Sequence, residues 1–298
     1  MAGIAEVKDL VERHTNVEGV CTTAIPRLSL YRFSRMLEAL HGVYEPSVCI
    51  VVQGRKRVIA GEHLCTYDVE NYLLVSADVP VVGQVLEASR DHPFLAMLMH
   101  LDAATLAELM LETDVEEPNH GITGSALAVS TVEPDLLDAC ARLLRLLDSP
   151  EDVPVLAPLV EREILYRLLR GGQSQRLSQL ATTESRLHDI KRSIGCIREN
   201  YREPLSVEAL ASEARMSTSA LYHHFRAVTG LSPLQYQKHL RLQEARRLML
   251  GGEMNAATAG YSVGYESPSQ FSREYRRLFG APPARDIARL PLSSLEPI

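Results

Sequence analysis

Long hydrophobic runs are missing from this chain of 298 residues. The longest apolar stretches, such as Val48–Val52, are strand-sized, far below the roughly 20 residues that a membrane-spanning helix requires. The opening residues, Met1–His14, lack the basic-then-apolar order of a signal peptide. Cysteine is sparse: Cys21, Cys49, Cys65, Cys140 and Cys196 are odd in number and widely scattered. Neither a disulfide framework nor a C-x-x-C metal clip can be read from them. His41, His63, His92 and His100 never fall in H-x-H spacing, and no Ser/His/Asp grouping or phosphate-cradling loop is present. These absences lead to the expectation of a cytoplasmic chain that is not an enzyme, has no metal or cofactor, and has no membrane partner.

What is present is the composition of an ordinary globular protein, 46% hydrophobic and 23% charged, at a length of about two domains. The net charge of −7 conceals an asymmetry. Residues 1–180 carry 15 Lys and Arg against 26 Asp and Glu, whereas residues 181–298 carry 16 against 12. An acidic first part joined to a basic second part implies that only the second meets a polyanion.

The chain breaks near Gly171-Gly172-Gln173-Ser174-Gln175, a cluster that ends a helix and reads as a flexible connection. Before it, short apolar runs predict strands over Ser47–Val52, Lys56–Ala60, Tyr72–Val75, Val79–Leu86 and Phe94–Leu101, with Gln53-Gly54-Arg55 as a hairpin tip. Their spacing suggests an antiparallel sandwich or barrel. The period then changes: Asp102–Leu111, Pro134–Leu147 and Pro154–Leu169 place apolar residues at helical spacing. An exposed apolar face on the last two would suit a homodimer. After the break the pattern is almost wholly helical, over Ser185–Asn200, Ser206–Ala214, Thr218–Val228, Pro233–Leu250, Asn255–Ser262 and Pro268–Leu278.

An internal repeat carries the functional signal. Met216-Ser217, Phe225-Arg226 and Gly230 return fifty residues later as Glu266-Ser267, Tyr275-Arg276 and Gly280. Each copy runs on into proline and is preceded by a short helix with a small residue, Ala211 or Gly260. Short helix, tight turn and a second helix closed by glycine make the helix-turn-helix unit, whose second helix enters the DNA major groove. The small residue is needed because the two helices cross closely. The spacer helix Pro233–Leu250 is about 27 Å long at 1.5 Å per residue. Two recognition helices set about 34 Å apart would meet successive major grooves on one DNA face.

The segment LSVEALASEARMSTSALYHHFRAVTGLSPLQYQKHLRLQEARRLML, followed by AGYSVGYESPSQFSREYRRLFGAPP, resembles the DNA-binding domain of AraC/XylS transcription regulators over about residues 186–289. PSVCIVVQGRKRV and YLLVSADVPVVGQV resemble the cupin-like sensor of the AraC subgroup related to aldehyde-responsive regulators. The fold class so implied is α+β: a cupin-like β-barrel with packed helices over residues 1–172, a linker over 173–186, and an all-α domain with two helix-turn-helix units over 187–298. The resemblance implies a bacterial transcription regulator, expected as an activator but with the sign of regulation left open, that binds double-stranded DNA at promoter half-sites. A small-molecule effector, a second copy of the chain and RNA polymerase are the further partners it allows.

Carried over residue by residue, base reading falls on Ser219, Tyr222 and His223 in the first unit and on Ser269, Gln270 and Arg273 in the second. Arg273 can chelate guanine O6 and N7, and Gln270 can pair with adenine. Phosphate contacts fall on Ser217, Thr218, Arg226, Ser267, Ser272, Arg276 and Arg277. Leu210, Leu221, Phe225, Phe271 and Phe279 read as core. The chain departs from the family pattern at Leu221-Tyr222-His223, where close relatives tend to have Phe-His-Arg. Arg215 stands in the turn where glycine is usual, and Gly260 replaces a usual alanine. The second unit is therefore expected to carry more of the sequence discrimination.

For the sensor, Cys49, Cys65 and His63 are the effector candidates, with Cys49 the covalent handle if it faces the interior near Arg or His. The apolarity of Val48–Val52 leaves its direction open, and a buried cysteine acting as a small core residue is the competing reading. A Cys-based electrophile or redox sensor and a cupin-like metalloenzyme with an accessory DNA-binding tail stand as alternatives. A DNA-repair methyl acceptor would need clustered cysteine ligands, which the chain lacks.

Overall fold

A computed structural model of the chain describes residues 3–113, 124–181, 186–252 and 254–288. The amino-terminal body begins with α1 (Ile4–Arg13), followed by β1 (Gly19–Thr22), β2 (Leu28–Phe33), β3 (Leu37–Tyr44), β4 (Ser47–Gln53), β5 (Arg55–Ala60), β6 (His63–Tyr67), β7 (Asn71–Val75), β8 (Val79–Glu87) and β9 (Phe94–His100). It continues through α2 (Ala103–Glu112), β10 (Leu127–Thr131), α3 (Pro134–Arg145), α4 (Val153–Arg170) and α5 (Ser174–Ala181). The carboxy-terminal body is helical: α6 (Arg186–Glu199), α7 (Val207–Glu213), α8 (Thr218–Thr229), α9 (Pro233–Leu250), α10 (Ala256–Ser262), α11 (Pro268–Phe279) and α12 (Pro283–Ile287).

Two antiparallel sheets form, in the orders β1-β2-β9-β4-β7-β10 and β3-β8-β5-β6. No ladder joins them among the described residues, so the expected closed barrel is instead a pair of open, facing sheets. Short strands at this spacing suit either architecture, and only the pairing partners separate them. The turn at Gly54 illustrates the point. It has φ of 87° but is not a hairpin tip, because β4 and β5 belong to different sheets.

The central strands of the larger sheet are buried on both faces, which is why they read as continuous apolar runs. In β4, Val48, Ile50 and Val52 pack beneath α1 to α5, whereas Cys49 and Val51 face the second sheet. The same alternation sends Leu95, Met97 and Met99 of β9 to the helices and Phe94, Ala96 and Leu98 to the other sheet. Each such apolar side chain contributes about 1.5–3 kcal/mol on burial. Within the segment expected to be a linker, Ser174–Ala181 is helical. Leu177 and Leu180 of α5 lie in the same core as β4 and α4, which fastens this stretch to the amino-terminal body.

Hydroxyl and amide side chains start the helices of the second body. Ser206, Ser217, Asn255 and Ser267 each accept a hydrogen bond from a first-turn backbone N–H, and Ser232 forms a full capping box with Gln235. A cap of this kind contributes about 1 kcal/mol. Gly230 and Gly280 close the two recognition helices in the left-handed conformation, at φ of 72° and 78°, as glycine alone does without strain. The first helix pair and the start of α9 share a core with the facing sheets through Leu221, Phe225 and Tyr236. The end of α9 and the second pair form a separate core around Phe271 and Tyr275.

Candidate functional site

The two helix pairs repeat at the level of the backbone. Met216 N–H donates to the Ala211 carbonyl at 3.0 Å, and Tyr265 N–H donates to the Gly260 carbonyl at 3.0 Å. The residue before each donor has positive φ, 52° at Arg215 and 90° at Gly264. Arg215 is the one non-glycine residue with positive φ among those described, so the family departure noted there carries backbone strain. The close crossing also holds: a Cβ at Gly260 would lie 2.9 Å from Phe271 Cγ. Arg241 of α9 braces the second unit by donating to the carbonyls of Tyr201, Arg202, Glu203 and Gly264.

On this scaffold Ser219, Tyr222 and His223 lie exposed on α8, and Ser269, Gln270 and Arg273 lie exposed on α11. Ser217 and Ser267 use their oxygens as caps, and Ser217 Oγ also shares a hydrogen bond with Ser219 Oγ at 3.1 Å. Thr218, Ser272, Arg276 and Arg277 are exposed. Arg273, Arg276 and Arg277 have no carboxylate partner among the described residues. Gln270 reaches Glu274 Oε1 at 3.4 Å, and Glu274 in turn accepts from Lys238 at 3.0 Å and from Tyr265 at 2.9 Å. Arg226 differs from the rest: its guanidinium pairs with Glu62 in the β5–β6 turn.

That pair belongs to a wider contact between the bodies, which the sequence did not reveal. Val228–Gly230, at the end of the first recognition helix, sits against one end of the sandwich. Ala126 N–H donates to the Val228 carbonyl at 2.8 Å. Gly61 and Gly230 touch backbone to backbone, so that a Cβ on either would collide with the other strand or turn. Tyr236 Oη donates to the Asp78 carbonyl at 3.2 Å. Arg198 pairs with Asp78 and Glu45, each at 2.9 Å. Farther along, Gln243 donates to the Gly42 carbonyl at 3.1 Å, and His41 stacks edge-on against Phe279 with centroids 4.8 Å apart. Burial, with Arg246 and His239 nearby, lowers His41 to about 4 despite the opposing Asp286.

Between the sheets, the direction of Cys49 is settled: it points inward and is 5% exposed. Tyr67 Oη donates to its Sγ at 3.7 Å. Burial raises the Cys49 thiol more than Lys56 and Tyr67 lower it. A thiol held protonated by burial is a poor nucleophile. Cys65 is half-buried on β6, its thiol likewise raised by burial against the opposing charge of Arg176. His63 is half-buried at the start of the same strand. Among the described residues no group of three His, Cys, Asp or Glu side chains is placed to hold a metal ion.

Lys56 opens the strand expected over Lys56–Ala60 and carried no functional expectation. Strand parity turns Lys56 inward while its neighbours face out, and it is 2% exposed. Its Nζ lies 5.4 Å from the Tyr44 ring centre, 5.6 Å from Tyr31 and 6.0 Å from Phe94. Burial lowers it to about 8, with Cys49 opposing. The Tyr44 hydroxyl is buried with no hydrogen-bond partner.

Twin helix-turn-helix units with free arginines, joined to a double-sheet body, define a two-domain DNA-binding transcription regulator. Residues 24–176, half of the chain, match the AraC-type transcriptional regulator N-terminus, and residues 210–289 match a Helix-turn-helix domain. The chain belongs to the AraC/XylS family of transcription regulators. It is 27% identical, over 241 residues and 80% of each chain, to the HTH-type transcriptional activator RhaS of Shigella dysenteriae serotype 1 (strain Sd197). The match to RhaS of Escherichia coli O1:K1 / APEC has the same identity and coverage. Its fold is similar to that of ToxT from Vibrio cholerae O395, with a TM-score of 0.54 and 12% identity, over 88% of this chain and 96% of that one. Unsaturated fatty acid bound wild-type ToxT from Vibrio cholerae strain SCE256 gives 0.53 and 11%, over 88% and 95%. No described helix is long and apolar enough to cross a membrane.

Proposed function

We propose that this chain is a cytoplasmic, effector-responsive activator without enzymatic activity of its own, binding promoter half-sites as a homodimer. The observation that carries the reading is the seating of Val228–Gly230 against the sandwich. A change between the sheets that shifts the β5–β6 turn must displace the end of the first recognition helix, because Gly61 and Gly230 leave no slack. Activation is the sense carried by the name of the relative RhaS. A ligand held in the amino-terminal body is consistent with a fold shared with a regulator that binds an unsaturated fatty acid. Base reading is assigned to Ser219, Tyr222, His223, Ser269, Gln270 and Arg273. Arg273 supplies the strongest single contact, and Arg226 is held at Glu62 until DNA competes for it.

Dimerisation is assigned to α4. The apolar face of α3 is buried through Leu136, Ala139, Cys140, Leu143 and Leu144, so α3 does not offer the second copy a surface. On α4, Val155, Leu156 and Leu159 are 68%, 40% and 62% exposed. Val155 and Leu159 stand one turn apart on one face, and a two-fold contact of that face with itself would cover them. Selection of DNA sequences by the full-length chain tests the reading directly. A reproducible pair of half-sites is expected, and the absence of any sequence preference would overturn it.

A further inference from the structure

Glu274 is an acidic side chain on a helix that must approach phosphate, and a network of donors holds it. Its side chain is 16% exposed. Oε1 accepts from Lys238 Nζ of α9 at 3.0 Å, and Oε2 accepts from the Tyr265 hydroxyl, in the turn of the second unit, at 2.9 Å. Burial raises this carboxyl, but the bonds from Lys238, Tyr265 and Gln270 outweigh it and hold the group below its usual range. At neutral pH it is therefore an ionised group that can only accept. One turn earlier on α11, Gln270 donates from Nε2 to Glu274 Oε1 at 3.4 Å. A free amide offers one acceptor oxygen and two N–H donors, and it can rotate to present either end. A fixed carboxylate beside it removes that freedom, because only the NH2 end can face an acceptor. The outward edge of Gln270 is left with its carbonyl oxygen and one N–H.

Those two remaining groups decide what Gln270 can read. In the major groove adenine presents a donor, its N6 amine, beside an acceptor, N7, whereas guanine presents two acceptors, O6 and N7. One acceptor and one donor match adenine. Guanine calls for two donors, and the second N–H of Gln270 is already engaged by Glu274. The corresponding places in the first unit, fifty residues earlier, hold Ala220 and His224, so the pair is confined to the second unit. We propose that Glu274 is a positioning residue that makes Gln270 selective for adenine over guanine. This rests on the reading of Gln270 as a base contact. Lys238 and Tyr265 fix the carboxylate and the carboxylate fixes the amide, so base choice is set by a residue behind the one that reads.

The test uses the full-length chain on the operator obtained by sequence selection, with each base pair replaced in turn. The ratio of affinities of one preparation for two DNAs does not depend on how much of it is folded, so it separates positioning from stability. Gln270→Ala should lose its preference at one base pair, where the wild type should favour A·T over G·C by at least about tenfold. Glu274→Leu removes the acceptor and should bring that ratio below about threefold, with the preferences elsewhere within about twofold of the wild type. Glu274→Gln retains an oxygen, held by Lys238, that accepts from Gln270, and should keep the wild-type ratio. Adding Glu274→Leu to Gln270→Ala should change the ratio no further. Combining Glu274→Leu with Tyr265→Phe removes the hydroxyl that the single variant leaves unpaired, and it gives the same readout where the single variant does not fold. The proposal is overturned if the base pair lost in Gln270→Ala is G·C, if Glu274→Leu keeps the wild-type ratio there, or if it relaxes every position alike. A wild-type pattern of preferences in Gln270→Ala would defeat the base-reading assignment itself, and the proposal with it.

Discussion

Two glycines allow the inter-body contact to be weighed by itself. Gly230 and Gly280 close equivalent helices at nearly the same φ, 72° and 78°. A Cβ at Gly280 meets nothing within 4 Å, whereas one at Gly230 would collide with the Ala60 carbonyl. Gly280→Ala therefore carries only the left-handed penalty, about 1 kcal/mol. Gly230→Ala carries the same penalty plus an overpacking term of about 1–3 kcal/mol that exists only while the two bodies are docked. Denaturant titration of both full-length variants should show the larger midpoint shift for Gly230→Ala. Hydrogen exchange should show new opening at the β5–β6 turn in that variant alone. Equal shifts, with exchange at the turn unchanged in both, would refute the contact and with it the proposed path from sandwich to recognition helix.

Arg273→Ala should cost about 1–3 kcal/mol on the best operator and relax the preference at one base position, whereas Arg276→Ala should weaken all sequences alike; quantitative binding to cognate and scrambled DNA checks both. Arg215→Gly should raise stability by about 1 kcal/mol through relief of the positive φ, visible as a higher unfolding midpoint. His41 titrates at about 4 when folded against 6.5 unfolded. The unfolded chain binds the proton more readily in that window, so stability should be full above pH 6.5 and fall as the pH drops toward 4. That loss is at most about 3 kcal/mol at 1.36 kcal/mol per pH unit, and it should shrink in His41→Gln when acid unfolding is compared. Leu159→Asp should leave the chain monomeric in sedimentation at tens of micromolar if α4 joins the two copies.

The helices of the DNA-binding body were legible in the sequence because their signals are local. Ser206, Ser217, Asn255 and Ser267 cap by bonding their own first turn, and Gly230 and Gly280 stop the helices by backbone freedom alone. Pro233–Leu250 was placed to the residue, since proline and a double glycine bound it. Five strands were found within a residue at either end, yet β1, β2, β3, β6 and β10 were not, being short, mixed in polarity or irregular. Sheet membership was beyond reach, because strand spacing is the same whether a strand pairs within one sheet or crosses to another. The reading faces on α8 and α11 follow from helical period plus the family motif, and all their residues are exposed.

The interior of the sandwich was decided by tertiary structure alone. In Ser47–Gln53 both faces are apolar, so no alternation could tell that Cys49 points toward the second sheet. In Arg55-Lys56-Arg57 three like charges gave no hint that the middle one is enclosed. Parity along a strand becomes meaningful only once the partners on each side are known. The docking of Gly230 on Gly61 joins residues 169 positions apart, through carbonyls and missing side chains, and a contact made of backbone leaves no side-chain pattern to read. Local chemistry wrote the helices and the DNA-reading surface into the sequence; the donors between the sheets and the seat of the recognition helix exist only where distant strands meet.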